Sequence, residues 1–195
     1  MKHAQKVTKA VSKTRPVLGG VIHRDNYLAV TDSHRLYFAA DAYEGAEKNV
    51  DPKTGAELTG GNYPDVSQLI PGLYDAKFSA KINVDTAAKA VKLIESAGNV
   101  GKASDLITFE TDVIAGELIF ATHEKSVVDC RYVAAVGDDP LVFKMTASAK
   151  YVSEAFALLK DVGLTEVTFN FFGENRPFTF TGGNLTALIL PVRTI

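Results

Sequence analysis

What most restricts the folds open to this chain is a pattern that occurs three times: a helix-forming stretch, then three β-rich runs separated by turn residues. Apolar residues at three- and four-residue intervals predict helices over 2–13, 84–97 and 147–161. The strand sets are 17–23, 27–31 and 35–40; then 106–110, 116–122 and 126–136; then 166–172, 178–181 and 185–190. Arg24-Asp25-Asn26, Asp32-Ser33, Gly173-Glu174-Asn175 and Gly182-Gly183-Asn184 supply turns between them. Short apolar runs at 76–82 and 141–145 read as strands leading into the second and third helices, which start about sixty residues apart. The first helix has no leading strand, and the first copy is the shortest. Residues 43–62, poor in apolar side chains and holding Asp51-Pro52-Lys53-Thr54-Gly55 and Thr59-Gly60-Gly61-Asn62, read as a linker or a long mobile loop. The fold class is α+β, antiparallel sheets covered on one side by helices.

Composition narrows the function classes. A chain of 195 residues with 46% hydrophobic and 23% charged residues has enough apolar material for a core, which excludes disorder, collagen and coiled coil. No apolar run approaches a membrane span and no apolar stretch follows the N-terminal Met1-Lys2-His3-Ala4-Gln5-Lys6, so the expected location is the cytoplasm. The single Cys130 excludes an internal disulfide and a multi-cysteine zinc site. A net charge of -2 argues against a basic coat for nucleic acid and leaves a local basic face open.

Such a face emerges when the helices are placed on wheels. In the first, Ala4, Val7 and Val11 oppose a stripe of Lys2, Lys6, Lys9 and Lys13. In the second, Ala90, Val91, Leu93 and Ile94 are expected inside, with Lys89 and Lys92 outside; in the third, Tyr151, Val152, Ala155, Leu158 and Leu159 oppose Lys150 and Lys160. Asp85, Glu95, Glu154 and Asp161 dilute the two later faces. A solvated lysine face is the plain reading of any one helix. Side by side, the three would form a surface suited to weak, nonspecific, salt-sensitive contact with duplex phosphates.

No arrangement of residues argues for catalysis. Thr31-Asp32-Ser33-His34-Arg35 contains the residue types of a hydrolase triad, but neighbours on one turn diverge where a triad must converge. His3, His23, His34 and His123 are scattered without ligand spacing, so no metal site is expected. Gly19-Gly20, Gly60-Gly61 and Gly182-Gly183 lack the context of a phosphate loop, no cofactor is implied, and Asp138-Asp139 before Pro140 is weak evidence for anything.

Four segments in order carry a resemblance: Thr14-Arg15-Pro16-Val17-Leu18-Gly19-Gly20-Val21; Thr31-Asp32-Ser33-His34-Arg35-Leu36; Tyr63-Pro64-Asp65 with Ile70-Pro71; and Leu188-Ile189-Leu190-Pro191-Val192-Arg193. Together they resemble the bacterial DNA polymerase III beta subunit, the replicative sliding clamp. The resemblance implies a DNA clamp fold of repeated half-domains, each a helix backed by antiparallel strands. In that family three two-half domains per subunit close into a dimeric ring, helices inward around DNA. It implies that Lys2, Lys6, Lys9, Lys13, Lys89, Lys92, Lys150 and Lys160 face DNA. Residues 1–42 resemble the first half of a clamp middle domain and 63–195 a complete last domain, so the family's first domain and the second half of its middle one have no counterpart. A lone half-domain would leave a sheet edge and an apolar helix flank uncovered, which motivates pairing of two chains into a homo-oligomer.

The resemblance further implies a pocket for peptides of DNA polymerases or clamp loaders. Leu18, Thr31, His34, Arg35 and Leu36 would form one wall, and Pro71, Leu188, Leu190, Pro191, Val192 and Arg193 the other, with Arg35 and Arg193 at the rim. Without it, Leu188, Leu190 and Val192 read as an ordinary alternating terminal strand. Ser33 stands where the family usually has glycine, and Leu190 and Val192 replace common methionines. The expected function is non-catalytic, a shortened clamp-like replication protein serving processivity or recruitment. The alternatives are a regulator or decoy competing with a true clamp for its partners and, remotely, a small hydrolase.

Overall fold

The computed structural model describes residues 2–100, 104–124, 126–137 and 141–193; Asp138, Asp139 and Pro140 lie outside them. It divides into two compact units, Met1–Pro71 with Gly183–Leu188, and Gly72–Gly182 with Ile189–Ile195. Among the described residues no helix is long and apolar enough to cross a membrane.

The first unit opens with α1 (Lys2–Thr8), shorter than its wheel predicts. Its end tightens through Ala10 N–H to Val7 O and Val11 N–H to Thr8 O, and the hydroxyls of Ser12 and Thr14 bond each other 2.9 Å apart. Short polar side chains that compete for backbone partners, with Pro16 close behind, stop the helix and put Lys9, Val11 and Lys13 beyond it. The strand expected from residue 17 begins only at β1 (Val21–Arg24), because Pro16–Gly19 coil into one turn of 3₁₀ helix. β2 (Tyr27–Thr31) and β3 (Arg35–Ala40) follow as antiparallel neighbours, with Asn26 and Ser33 in the left-handed region at the two turns.

Residues 43–62 are not a bare linker. β4 (Lys48–Val50) pairs antiparallel with the outer edge of β1, and Val50 bridges back to Glu57. The polar content that disguised this strand is what an edge strand carries. A Cβ on Gly20 would collide with the side chains of Asn49 and Leu58, so glycine at this position leaves room for them beside β1. β12 (Leu185–Ile189) completes the order β4-β1-β2-β3-β12, tied to β3 where Ala40 and Asn184 exchange two hydrogen bonds.

The second unit contains β5 (Phe78–Asn83), α2 (Val84–Gly98), β6 (Leu106–Asp112), β7 (Glu117–Thr122), β8 (Arg131–Val136), β9 (Lys144–Ser148), α3 (Ala149–Asp161), β10 (Glu166–Phe171) and β11 (Phe178–Gly182). Each leading strand crosses over: β5 precedes α2 but pairs with β10, and β9 precedes α3 but pairs with β6. The sheets are therefore β8-β7-β6-β9 and β11-β10-β5, and neither half is complete without the other. Asn83 caps α2, its Oδ1 accepting from Thr86 N–H at 3.0 Å. Val84, Ala87, Val91 and Ile94 face inward, whereas Leu93, expected inside, is 66% exposed, two positions and so about 200° from Val91 on the wheel. The core is phenylalanine: Phe109, Phe120, Phe156, Phe169, Phe178 and Phe180 are fully buried, with Phe109 and Phe120 4.6 Å apart edge to face.

Candidate partner-docking site

An apolar cluster in the first unit is built from Leu18, Ile22, Tyr27, Ala29, Leu36, Tyr63, Val66 and Leu188, with half-buried Val11, Val17, Phe38 and Ile70 around it. The 3₁₀ turn presents Leu18, β3 presents Leu36 and β12 presents Leu188, so three expected wall residues meet across separate elements. Leu188, assigned by resemblance to the wall opposite Leu18, shares its cluster. All three are at most 5% exposed, so they form a floor, and the half-buried Val17 and Ile70 lie over it; Pro71, expected in the wall, is half-buried but not part of this cluster. Tyr63 is buried too, and loss of water pushes its phenol pKa well up.

The turn between β2 and β3 corrects the role expected of Arg35. It is 2% exposed, its Nε donates to Asp32 Oδ2 at 3.1 Å and its Nη2 to Lys6 O at 3.3 Å. Arg35 thus ties α1 to the sheet and cannot serve as a rim donor. Asp32 Oδ1 accepts the backbone N–H groups of His34 and Arg35, both at 3.0 Å, an Asx turn. Thr31, buried, donates its hydroxyl to Arg35 O at 2.6 Å. Only Ser33 and His34 point outward, and Ser33 Oγ accepts from Arg15 Nη1 at 2.9 Å. The tempting string is a structural turn whose carboxylate faces an arginine and backbone amides.

Leu190, Pro191, Val192 and Arg193 fall in the second unit. Val192 is fixed there by two hydrogen bonds with Thr146, at 2.8 and 2.7 Å, and with Arg193 it lines a cleft of about 670 Å³. His123, Glu124, Lys144 and Glu174 also line this cleft, so its lining is largely charged or polar; Lys144 and Glu124 form an ion pair at 3.7 Å.

All eight candidate DNA-facing lysines are exposed. On the adjacent α2 and α3, however, Lys89 and Lys160 both pair with Asp85, whose carboxyl they hold down to about 2, Lys160 contributing most. Two of the four positive charges on that layer therefore share one counter-charge, leaving Lys92 and Lys150 to carry any phosphate contact there.

Two groups escaped the sequence reading. Arg15 lines a groove of about 800 Å³ with Leu18, Leu58 and Pro64. Arg24 grips Glu47 with two hydrogen bonds, at 2.7 and 2.8 Å, and also donates to Tyr63 O at 3.1 Å. Arg24 thereby closes the two ends of the 47–63 segment onto β1. Arg15 reaches Ser33, eighteen positions away, and Arg24 reaches Glu47 and Tyr63 as well as its near neighbour Tyr27, so the long-range contacts left no local sequence signal. Among the described residues no group of three or more His, Cys, Asp or Glu converges as a metal site would.

No family model matches the chain. It is 28% identical over 238 aligned positions to the beta sliding clamp of Staphylococcus aureus strains Mu50 and MW2, an alignment covering 95% of this chain and 59% of the relative. The chain thus spans less than two thirds of the curated relatives it matches. Among solved structures, the Bacillus subtilis DNA polymerase sliding clamp superposes with a TM-score of 0.77 at 21% identity, over 98% of this chain and 61% of that one. The DNA polymerase III beta chain of Streptococcus pneumoniae gives 0.78 at 19%, over 99% and 62%. The Helicobacter pylori beta clamp bound to a DNA ligase peptide gives 0.74 at 16%, over 97% and 62%. The chain has the fold of the bacterial sliding clamps and is similar to them in sequence along nearly all of its length.

Proposed function

We propose that the chain is a non-catalytic, clamp-type docking module of DNA replication, working in the cytoplasm. It takes a peptide of a DNA polymerase, clamp loader or related partner on the first unit's apolar cluster. The observation that carries this reading is the meeting of Leu18, Leu36 and Leu188, drawn from three elements, beneath half-buried Val17 and Ile70. An apolar partner side chain covering that surface gains roughly 25 cal/mol per Å² removed from water, before the cost of ordering the peptide. In this proposal residues 1–42 are a clamp half-domain, 43–62 the linker or loop that follows it and 63–195 a last-type domain. An alignment longer than the chain, 238 positions against 195 residues, supports a relative with additional internal sequence. Self-association and weak, nonspecific contact with duplex DNA through the lysine helices belong to the same reading.

The test is fluorescence anisotropy with the labelled ligase peptide that the H. pylori clamp binds. Saturable binding that Val17→Glu abolishes, with circular dichroism unchanged, is expected. No binding up to about 1 mM would sink the proposal. A second reading, a decoy that competes with a true clamp for partners, is favoured by the pairing of Lys89 and Lys160 with Asp85, which weakens the DNA-facing charge. Added to a polymerase assay with an authentic clamp, a decoy inhibits synthesis, whereas a working module leaves or raises it.

A further inference from the structure

We infer that β8 is the self-association edge of this chain: two copies pair it antiparallel about a two-fold axis and merge their four-stranded sheets into a single sheet. The inference rests on the self-association proposed above, gives it a surface, and stands without peptide docking. β8 ends the order β8-β7-β6-β9 and, among the described residues, pairs with β7 alone. The other end of that sheet is closed where Val192 bridges to Thr146 of β9. Edge strands that stay single are commonly very short or carry lysine or proline. β8 has six residues and neither type, and it shows solvent Val133 and Val136, 43% and 75% exposed. Its one protective device is the bulge beside Ala134, which a two-fold pair repeats symmetrically.

The chain itself narrows the occupant to a second copy's β8. β8 is the third strand after α2, as β12 is the third after α3, and β12 takes β3 on its outer side. A strand like β3 therefore fits such an edge, but β3 is already held between β2 and β12 in every copy. Along β4, residues 56–58 return on the free side, where Leu58 N–H donates to Asn49 O at 2.7 Å and Asp51 N–H to Ala56 O at 2.9 Å. β5, the remaining outer strand, is in contact with β8 of its own chain. Charge then sets the direction of pairing. Arg131, 55% exposed and 3.4 Å from Glu110, opens the strand; Asp112 and Glu117 line the cleft at its far end, beside Val136 and Gly137. Antiparallel pairing brings each basic start to the other copy's acidic end, twice per dimer, whereas parallel pairing sets Arg131 beside Arg131. A contact of this symmetry stops at two chains and closes no ring.

The test is sedimentation equilibrium of the full chain, with circular dichroism to confirm the fold of each variant. A mass of two chains is expected at about 50 µM. Val133→Lys, which sets two ammonium groups near the centre of the pair, should leave a monomer. Arg131→Glu and Glu117→Lys should each weaken the dimer about tenfold, and the two together should restore most of it. A native chain that stays monomeric, a dimer that Val133→Lys leaves intact, or a double variant no tighter than the singles would overturn the inference. Arg131 is exposed, so the charge exchange still decides if Val133→Lys does not fold. An intact dimer in Val133→Lys moves self-association to another surface without ending it, and the ligase peptide tests docking separately.

Discussion

Arg35 illustrates how a residue can have the right neighbours and a different job. Buried with Asp32 at 1% and 0% side-chain exposure, it spans from the β2–β3 turn to the Lys6 carbonyl of α1. Removing one member of such a pair leaves a desolvated charge behind, so Asp32→Ala is expected to destabilise the fold by about 3–5 kcal/mol. Chemical denaturation read by circular dichroism measures this, and a change under 1 kcal/mol would show the pair to be solvated in solution. Three of the apolar residues singled out in the sequence, Leu18, Leu36 and Leu188, share one buried cluster. The inward turn of Arg35 was not, because sequence records that an arginine follows Asp32 and cannot record which way its stem leaves the strand.

At the scale of elements, periodicity read the molecule well where a single face decides burial. β2 and β3 start and end where alternation predicts, and α2 and α3 lie within two residues of their predicted bounds. It failed where a partner distant in sequence decides. β4 has only three residues, two of them polar, and exists because β1 offers an edge and Arg24 binds both Glu47 and Tyr63 O. β4 covers β1 and is itself the outer strand of this sheet. Arg24's hydrogen bonds hold the Glu47 carboxyl below its ordinary 4.5. A depressed acid contributes stability above that ordinary value and loses it as pH falls through the lower native one. The pair is partly exposed, so Glu47→Gln is expected to cost under about 1 kcal/mol at pH 7. The gap from the parent should close in acid. Limited proteolysis should show faster cleavage within 43–62 in the variant at neutral pH, and equal rates there would mean the Arg24 staple does not hold β4.

For the whole molecule, charge sets the terms of any encounter with DNA. A net charge of -2 gives no long-range attraction to a polyanion, and at physiological salt fields between exposed charges fade within about 8 Å. Contact must therefore come from lysines already at the phosphates, and on α2 and α3 the balance turns on Asp85. Replacing it with asparagine frees Lys89 and Lys160 from their shared carboxylate and raises the local charge by one without touching the core, since Asp85 is exposed. Asp85→Asn is expected to tighten association with a labelled duplex severalfold at low salt, with a steeper decline as salt rises, because each added phosphate contact steepens the logarithmic dependence by about 0.9. Lys92→Glu should act oppositely. If both variants bind as the parent does across the salt series, this helix layer does not meet DNA, and any contact rests on the lysines of α1, where Lys6→Glu must then remove it.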